Sequence, residues 1–327
     1  MKNIESATNP KIKLAAGLSK RSQREKTGLF VAEGVRLAEM AAASDWDIEY
    51  ALVTERAAGE ERVENILAQM EARETPVFLV PERVYAKASG TETPQGILLV
   101  VRQKKMLLEE LATICPRSQS AGGFLLDKQA LSASALRDRL CRKAKVDPSG
   151  LKISRRKSPA SRSDSLDACA GKHMPCFVVL DRVQDPGNLG TILRTADAAG
   201  MDGVILLKGT VDAFSPKVVR AAMGSLFHLP IVMDVEEAAF LEFVASKKLS
   251  LCATALDATA KPHFAADFCR PSAIVFGNEG SGVSAQILER AEKIYIPMFG
   301  EAESLNVAVS SAIVLYEAVR QRHALSD

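Results

Sequence analysis

The sequence predicts an α/β protein in two parts, a C-terminal unit built on a parallel sheet and a smaller N-terminal α/β unit. Three observations carry this. From Cys176 onward, short apolar runs (FVVL 177–180, GVILL 203–207, LCATAL 251–256, AIVF 273–276) alternate with amphipathic stretches, the pattern of strand–helix–strand crossovers between parallel strands. Residues 28–101 show the same alternation on a smaller scale. At 327 residues the chain also exceeds the usual size of one domain.

In order, GLFVA (28–32) reads as a buried strand, 33–43 as a helix and 49–53 as a strand. A helix at 60–72, a strand at 77–80, a short helix at 81–88 and a strand at 96–101 follow, with turns around Pro76 and Pro94. This assigns 1–101 to one domain. Between 102 and 175 the periodicity fades. A basic helix fits 133–145, but 149–172 holds six Ser and six Lys/Arg, too little apolar surface to offset chain entropy. The stretch 102–175 therefore reads as a basic, Ser-rich insertion or linker, partly disordered. From 176 to 327, strands at 177–180, 203–207, near Ile231, 251–256, 273–276 and near Tyr295 interleave with helices at 189–199, after Ser215-Pro216, at 235–247 and in the final stretch. Ser215-Pro216 is a helix start, a capping hydroxyl followed by Pro at the first helical position.

With 47% hydrophobic and 25% charged residues, the composition is that of a soluble globular protein. No apolar run approaches the roughly 18 residues of a membrane span, and MKNIESATNPKIK lacks the apolar core of a signal peptide, so a cytoplasmic location is expected. The six cysteines are scattered and none has zinc-ligand spacing, so no metal site is expected. The net charge of +2 conceals two basic regions: 101–175 carries 16 Lys/Arg against 7 acids, and 1–36 carries 8 against 3. Such patches suit a polyanionic partner, although a solvated charged face would look the same.

Ligands of open parallel sheets bind beyond the carboxyl ends of the strands, which directs attention to three loops. In DRVQDPGNLGTILRTADAAG (181–200), Asn188 can cap the following helix, Gly190 permits a close backbone approach, and Arg194 offers a planar fork for phosphate or carboxylate. In FGNEGSGVS (276–284), Glu279 sits among glycines whose G-x-x-G-x-G order is not the dinucleotide fingerprint. In ESLNVAVSSAIVLYEAVRQR (303–322), Ser304 and Asn306 precede a helix that is small or apolar nearly all round; they can cap it or bind a ligand.

Read jointly, DPGNLGTILRTADAAG, FGNEGSG and IPMFGEAESLNVAVSSAIVLYEAVRQR resemble the three signature motifs of the SpoU/TrmH family of RNA ribose 2′-O-methyltransferases, in the SPOUT superfamily. The resemblance covers 176–325 almost continuously. Segments 9–41 and 93–101 are similar to that family's N-terminal substrate-binding domain, whereas 102–175 replaces the usual short connector. The resemblance implies a trefoil-knotted C-terminal domain (176–327), a homodimer formed through it, and a ribosomal-protein-like RNA-binding fold at the N-terminus. It implies S-adenosylmethionine as cofactor, cradled by backbone around Gly277, Ile296 and Leu305 with Gly280 and Met298 beside them. It also implies a catalytic set of Asn188, Arg194, Glu279, Ser304 and Asn306.

The substrate implied is structured ribosomal or transfer RNA. RNA contacts are expected from Lys11, Lys13, Lys20, Arg21, Arg24 and Arg36, and from Arg220 in the helix after Ser215-Pro216; neither membrane nor metal is expected. The general base stays open: Arg194 remains protonated and suits a phosphate or oxyanion anchor, while Glu279 orients it or accepts a proton through water. Two rivals remain, a non-catalytic RNA-binding or ribosome-assembly factor of the same fold and a nucleotide-binding oxidoreductase. The first lacks a reason to keep all five polar positions, and the second lacks its fingerprint.

Overall fold

The computed structural model describes residues 1–111 and 174–323. The helix expected at 133–145 and the linker at 149–172 lie outside them.

The first sheet has the order β1-β4-β3-β5-β2 and comprises β1 (Lys2–Asn3), β2 (Leu29–Glu33), β3 (Ile48–Thr54), β4 (Val77–Val80) and β5 (Ile97–Arg102). β1, β4 and β3 are parallel, and β5 runs antiparallel to both β3 and β2. Side chains alternate across it, as the period of two along a strand requires. Phe30, Ala32, Ala51, Val53, Ile97 and Leu99 share one core with α3 (Val35–Ala43) and α5 (Glu61–Ala72). Leu29, Tyr50, Leu52, Leu98 and Val100 share another with α1 (Pro10–Gly17) and α6 (Glu82–Ala88). The short helices α2 (Arg21–Thr27) and α4 (Glu55–Ala58) fill connections.

After α7 (Leu108–Leu111), the second sheet contains β6 (Cys176–Asp181), β7 (Gly203–Leu207), β8 (Ile231–Val235), β9 (Ser250–Thr254), β10 (Lys261–Pro262), β11 (Ser272–Gly277) and β12 (Glu292–Tyr295). Its order is β10-β12-β9-β11-β6-β7-β8 and every pairing is parallel. The helices are α8 (Pro186–Ala198), α9 (Pro216–Ala221), α10 (Glu237–Ser246), α11 (Ala285–Leu288) and α12 (Val307–His323). The helix expected from 235 starts at Glu237, because Glu236 keeps extended backbone. From β6 the chain steps through β7 to β8 in one direction and then returns to β9 and β11 on the other side. The boundary between β6 and β11 is thus the switch point, where a parallel sheet opens a crevice at its carboxyl ends.

The two sheets share one core. Phe30 and Trp46 from the first half pack against Phe214 and Phe227 from the second, with ring centroids 4.9 Å (Phe30–Phe214, tilted) and 5.4 Å (Trp46–Phe227, edge to face) apart. Met40 reaches into the space left by Gly224, whose φ of +94° suits glycine and where a Cβ would lie 2.1 Å from the Met40 sulfur. Beside this apolar seam runs one buried ion pair. Arg24, 3% exposed, donates from Nε to Asp212 at 2.8 Å and from Nη1 to the carbonyls of Leu18 and Ser19 at 2.8 and 2.9 Å. Arg24 is therefore not the RNA contact expected from the sequence, since its donors are spent inside the protein.

Removing one partner of a buried pair leaves the other charge uncompensated. Arg24→Ala is expected to cost about 3 kcal/mol in chemical denaturation, and Arg24→Met combined with Asp212→Leu to recover most of that loss.

Candidate active site

Asp181 and Gly277 are the last partners in the β6–β11 ladder, so the loops 182–185 and 278–284 leave adjacent strands at the same level. Their spacing follows from backbone contact. A Cβ on Gly277 would lie 2.2 Å from the carbonyl carbon of Gly282, so the glycine lets the 278–284 loop fold onto its own strand. Asn278 pairs with Gly282 in an isolated bridge, and its Oδ1 accepts from the amides of Gly280 and Ser281 at 2.9 and 3.0 Å. Asp181, 2% exposed, accepts from the amide of Ser284 at 2.7 Å and from Arg182 Nε at 2.7 Å.

This closure presents Glu279 to the start of α8. Its carboxylate accepts from the amides of Gln184 (3.2 Å) and Asp185 (3.3 Å) and from Asn188 Nδ2 (2.9 Å). Asn188 Oδ1 then accepts from Asn306 Nδ2 at 3.0 Å, and Asn306 Oδ1 accepts from the amides of Ala308 (2.9 Å) and Val309 (3.4 Å) at the start of α12. Three residues from three separate segments, the 278–284 loop, the first turn of α8 and the approach to α12, form one chain of hydrogen bonds. Partial burial pushes the Glu279 pKa up, but donation by Asn188 and by the loop amides outweighs it and leaves the carboxyl below its ordinary value. The group is ionised at neutral pH.

One sequence expectation needs correction. Asn188 does not cap α8; Asp185 does, its Oδ1 accepting from the Asn188 amide at 2.8 Å with Pro186 at the first helical position. The Asp-Pro pair was the available signal, an acceptor directly ahead of Pro. The side chains of Arg194 and Ser304 do not join the chain: both are exposed, and neither side chain has a hydrogen bond or ion pair among the described residues. Gly190 does meet its expectation, since a Cβ there would lie 2.4 Å from Ala221 Cβ. Ser215 likewise caps α9 through Oγ, which accepts from Val218 at 3.4 Å.

Between β12 and α12, the side chains of Ile296, Met298 and Leu305 are half-buried, and their backbone amides have no intrachain acceptor among the described residues. Apolar side chains with unspent donors beside them fit the adenosyl and amino-acid portions of S-adenosylmethionine. Among the expected RNA contacts, Lys13, Lys20 and Arg36 are exposed, Arg21 pairs with Glu25 at 2.6 Å, and the Lys11 ammonium lies 4.6 Å from the Tyr50 ring centre. Among the described residues there is no cluster suited to a metal ion and no helix long and apolar enough to cross a membrane.

The SpoU rRNA Methylase family matches residues 175–316, and the MRM3-like substrate binding domain matches residues 9–99. The chain is 33% identical, over 97% of its length and 98% of the relative's, to the 23S rRNA (guanosine(2553)-2′-O)-methyltransferase RlmP of Bacillus subtilis. It belongs to the SpoU rRNA methylase family. Two solved structures share the full architecture. One is the AdoMet-bound rRNA methyltransferase from Sinorhizobium meliloti, with a TM-score of 0.72 and 29% identity over 98% of this chain and 97% of that one. The other is an RNA 2′-O ribose methyltransferase, with a TM-score of 0.66 and 30% identity over 98% and 99%. As a SpoU methylase, the chain transfers a methyl group from S-adenosylmethionine to a ribose 2′-hydroxyl of RNA.

The Glu279 contacts give this SpoU chain a pH signature. A carboxyl whose folded pKa lies below its unfolded value stabilises fully above the ordinary value of 4.5 and loses that contribution as pH falls through the folded one. The denaturation midpoint of the wild type should exceed that of Glu279→Gln by a constant margin from pH 6 to 8. The margin should shrink below about pH 4.5.

Proposed function

We propose that the substrate is ribosomal RNA and that Asn188, Glu279 and Asn306 position its ribose, with Arg194 and Ser304 completing the catalytic set. The observation that carries this reading is the Glu279–Asn188–Asn306 hydrogen-bond chain at the switch point of the sheet. A carboxylate only accepts, so it turns the Asn188 amide nitrogen toward itself and the Asn188 oxygen toward Asn306. Both amides are then fixed before substrate arrives, and such pre-ordering can contribute about 7 kcal/mol to a displacement.

S-adenosylmethionine supplies an already activated methyl group; Gly277, Gly280, Ile296, Met298 and Leu305 hold it. The chain's own task is to align the ribose oxygen and ease loss of its proton. Glu279, with three donors on its two oxygens and a lowered pKa, is a weak base, and we assign it to orientation. Arg194, exposed and without an intrachain partner among the described residues, is assigned to the phosphate or developing oxyanion of the target nucleotide.

The reading includes a cytoplasmic homodimer. On α12, Val309 and Tyr316 are 48% and 52% exposed and are joined by half-buried Ala312 and Ile313, an i, i+3, i+4, i+7 stripe. An exposed apolar stripe of this kind suits a second copy of the same helix. The segment 296–306 also carries the chain from β12 back across β9 and β11 to α12 beside α8, a path compatible with the knot of the family.

Ribose-methylation mapping of rRNA from cells lacking and regaining the gene should reveal a site that returns with the gene; no differing site would favour the assembly-factor reading. With unmodified large-subunit rRNA transcript in vitro, Glu279→Gln and Arg194→Ala should each slow single turnover about 10²-fold. The Glu279→Gln pH–rate profile should stay parallel to that of the wild type, and loss of a limb would make Glu279 the base. Tyr316→Glu should convert a dimer into a monomer in light scattering.

A further inference from the structure

At the seam between the two sheets lies a cavity of about 100 Å³, lined among others by Ser19, Glu33, Lys87, Ser89, Gly90 and Arg220. It belongs to neither the hydrogen-bond chain of the candidate active site nor the aromatic seam. Arg220 enters it from α9, on the second sheet's side, and Nη1 lies 3.7 Å from the position a Cβ on Gly90 would take. The side chain thus spans from one half of the molecule to a loop of the other. Arg220 is half-buried, and its guanidinium has no hydrogen bond or ion pair among the described residues. Lys87, at the end of α6, is the second cation of the cavity and also lacks a partner among the described residues.

Glu33, 8% exposed, is the obvious counter-ion, yet its carboxylate is committed elsewhere. It accepts from Ser89 Oγ, from the Gly90 amide at 3.0 Å and from Thr91 Oγ1 at 2.9 Å, so its charge organises the 89–91 loop. Two unspent cations thus face a cavity whose one acid among the described residues is already satisfied by three donors. A half-buried guanidinium without a partner is suited to an anion that brings its own acceptors, and its planar fork matches two phosphate oxygens.

We propose that this cavity seats one backbone phosphate of the substrate RNA, with Arg220 as its main contact and Lys87 as its second. The seat rests on the RNA-methylating reading and adds to it the point where the strand crosses from the N-terminal half to the catalytic half. Its position is tied to the chemistry. Ala221, next to Arg220, is the residue that Gly190 admits at close range, and Gly190 is two residues from Asn188. Lys217 of the same helix lies 3.8 Å from Asp185, the cap of α8. A phosphate held by Arg220 therefore fixes the strand against the helix that carries Asn188. Such a contact sets register and reads no sequence.

The test is equilibrium binding of the full-length chain to an unmodified large-subunit rRNA transcript across a series of KCl concentrations. Losing one phosphate contact lowers the slope of log K against log salt by about 0.7–0.9. Arg220→Gln should show that loss with about tenfold weaker binding at low salt. Arg220→Lys should keep the slope, and the exposed Lys87→Gln should lower it by a smaller amount. S-adenosylmethionine binding by calorimetry should match wild type in all three variants, reporting an intact fold. A wild type that binds while Arg220→Gln and Lys87→Gln both equal it in affinity and slope would overturn the seat alone. A wild type that neither binds nor methylates the transcript would overturn the proposed function, and the seat with it.

Discussion

The architecture of the candidate active site depends on one property of a carboxylate, that it accepts hydrogen bonds and donates none. Glu279 stands at the head of a chain of amides that could each face either way. Because the acid takes the Asn188 nitrogen, Asn188 must offer its oxygen to Asn306, and Asn306 must turn its own oxygen to the amides of Ala308 and Val309. One negative charge thereby sets the polarity of side chains in the first turn of α8 and at the start of the last helix. The same charge compensates the amides of Gln184 and Asp185 at the entrance of α8, where negative charge suits a helix N-terminus.

The sheet makes that reach possible. Only at the switch point do two loops leave neighbouring strands in divergent directions, and the pairing of Asp181 with Gly277 brings them out level. Gly277 then folds the second loop flat against its strand, and Gly190 lets α9 lie close on α8. Backbone proximity at two glycines therefore decides where Glu279 and Asn188 stand. Their chemistry follows from placement.

Much of this was legible in the sequence. The strands at 77–80 and 203–207 have the limits that the sequence predicts, because β-branched runs flanked by turn residues leave little alternative. Ser215-Pro216 and Gly190 were legible because their local stereochemistry has few solutions. What escaped depends on contacts distant in sequence. Nothing around Arg24 shows that Asp212, 188 positions away, will bury it. Asn and Asp cap equally well, and the choice of Asp185 over Asn188 follows from where Pro186 starts the helix. That the side chains of Arg194 and Ser304 form no hydrogen bond with the other three polar residues was equally invisible, since motif spacing fixes order along the chain and not the facing of side chains.

The shared seam has a consequence for how such a chain evolves. Phe30, Met40 and Trp46 are completed by Phe214, Phe227 and the gap at Gly224. A gene fusion that lifted the first hundred residues onto another enzyme would uncover an aromatic patch of the kind that drives aggregation. Substitutions on one side of the contact are thus constrained by those on the other.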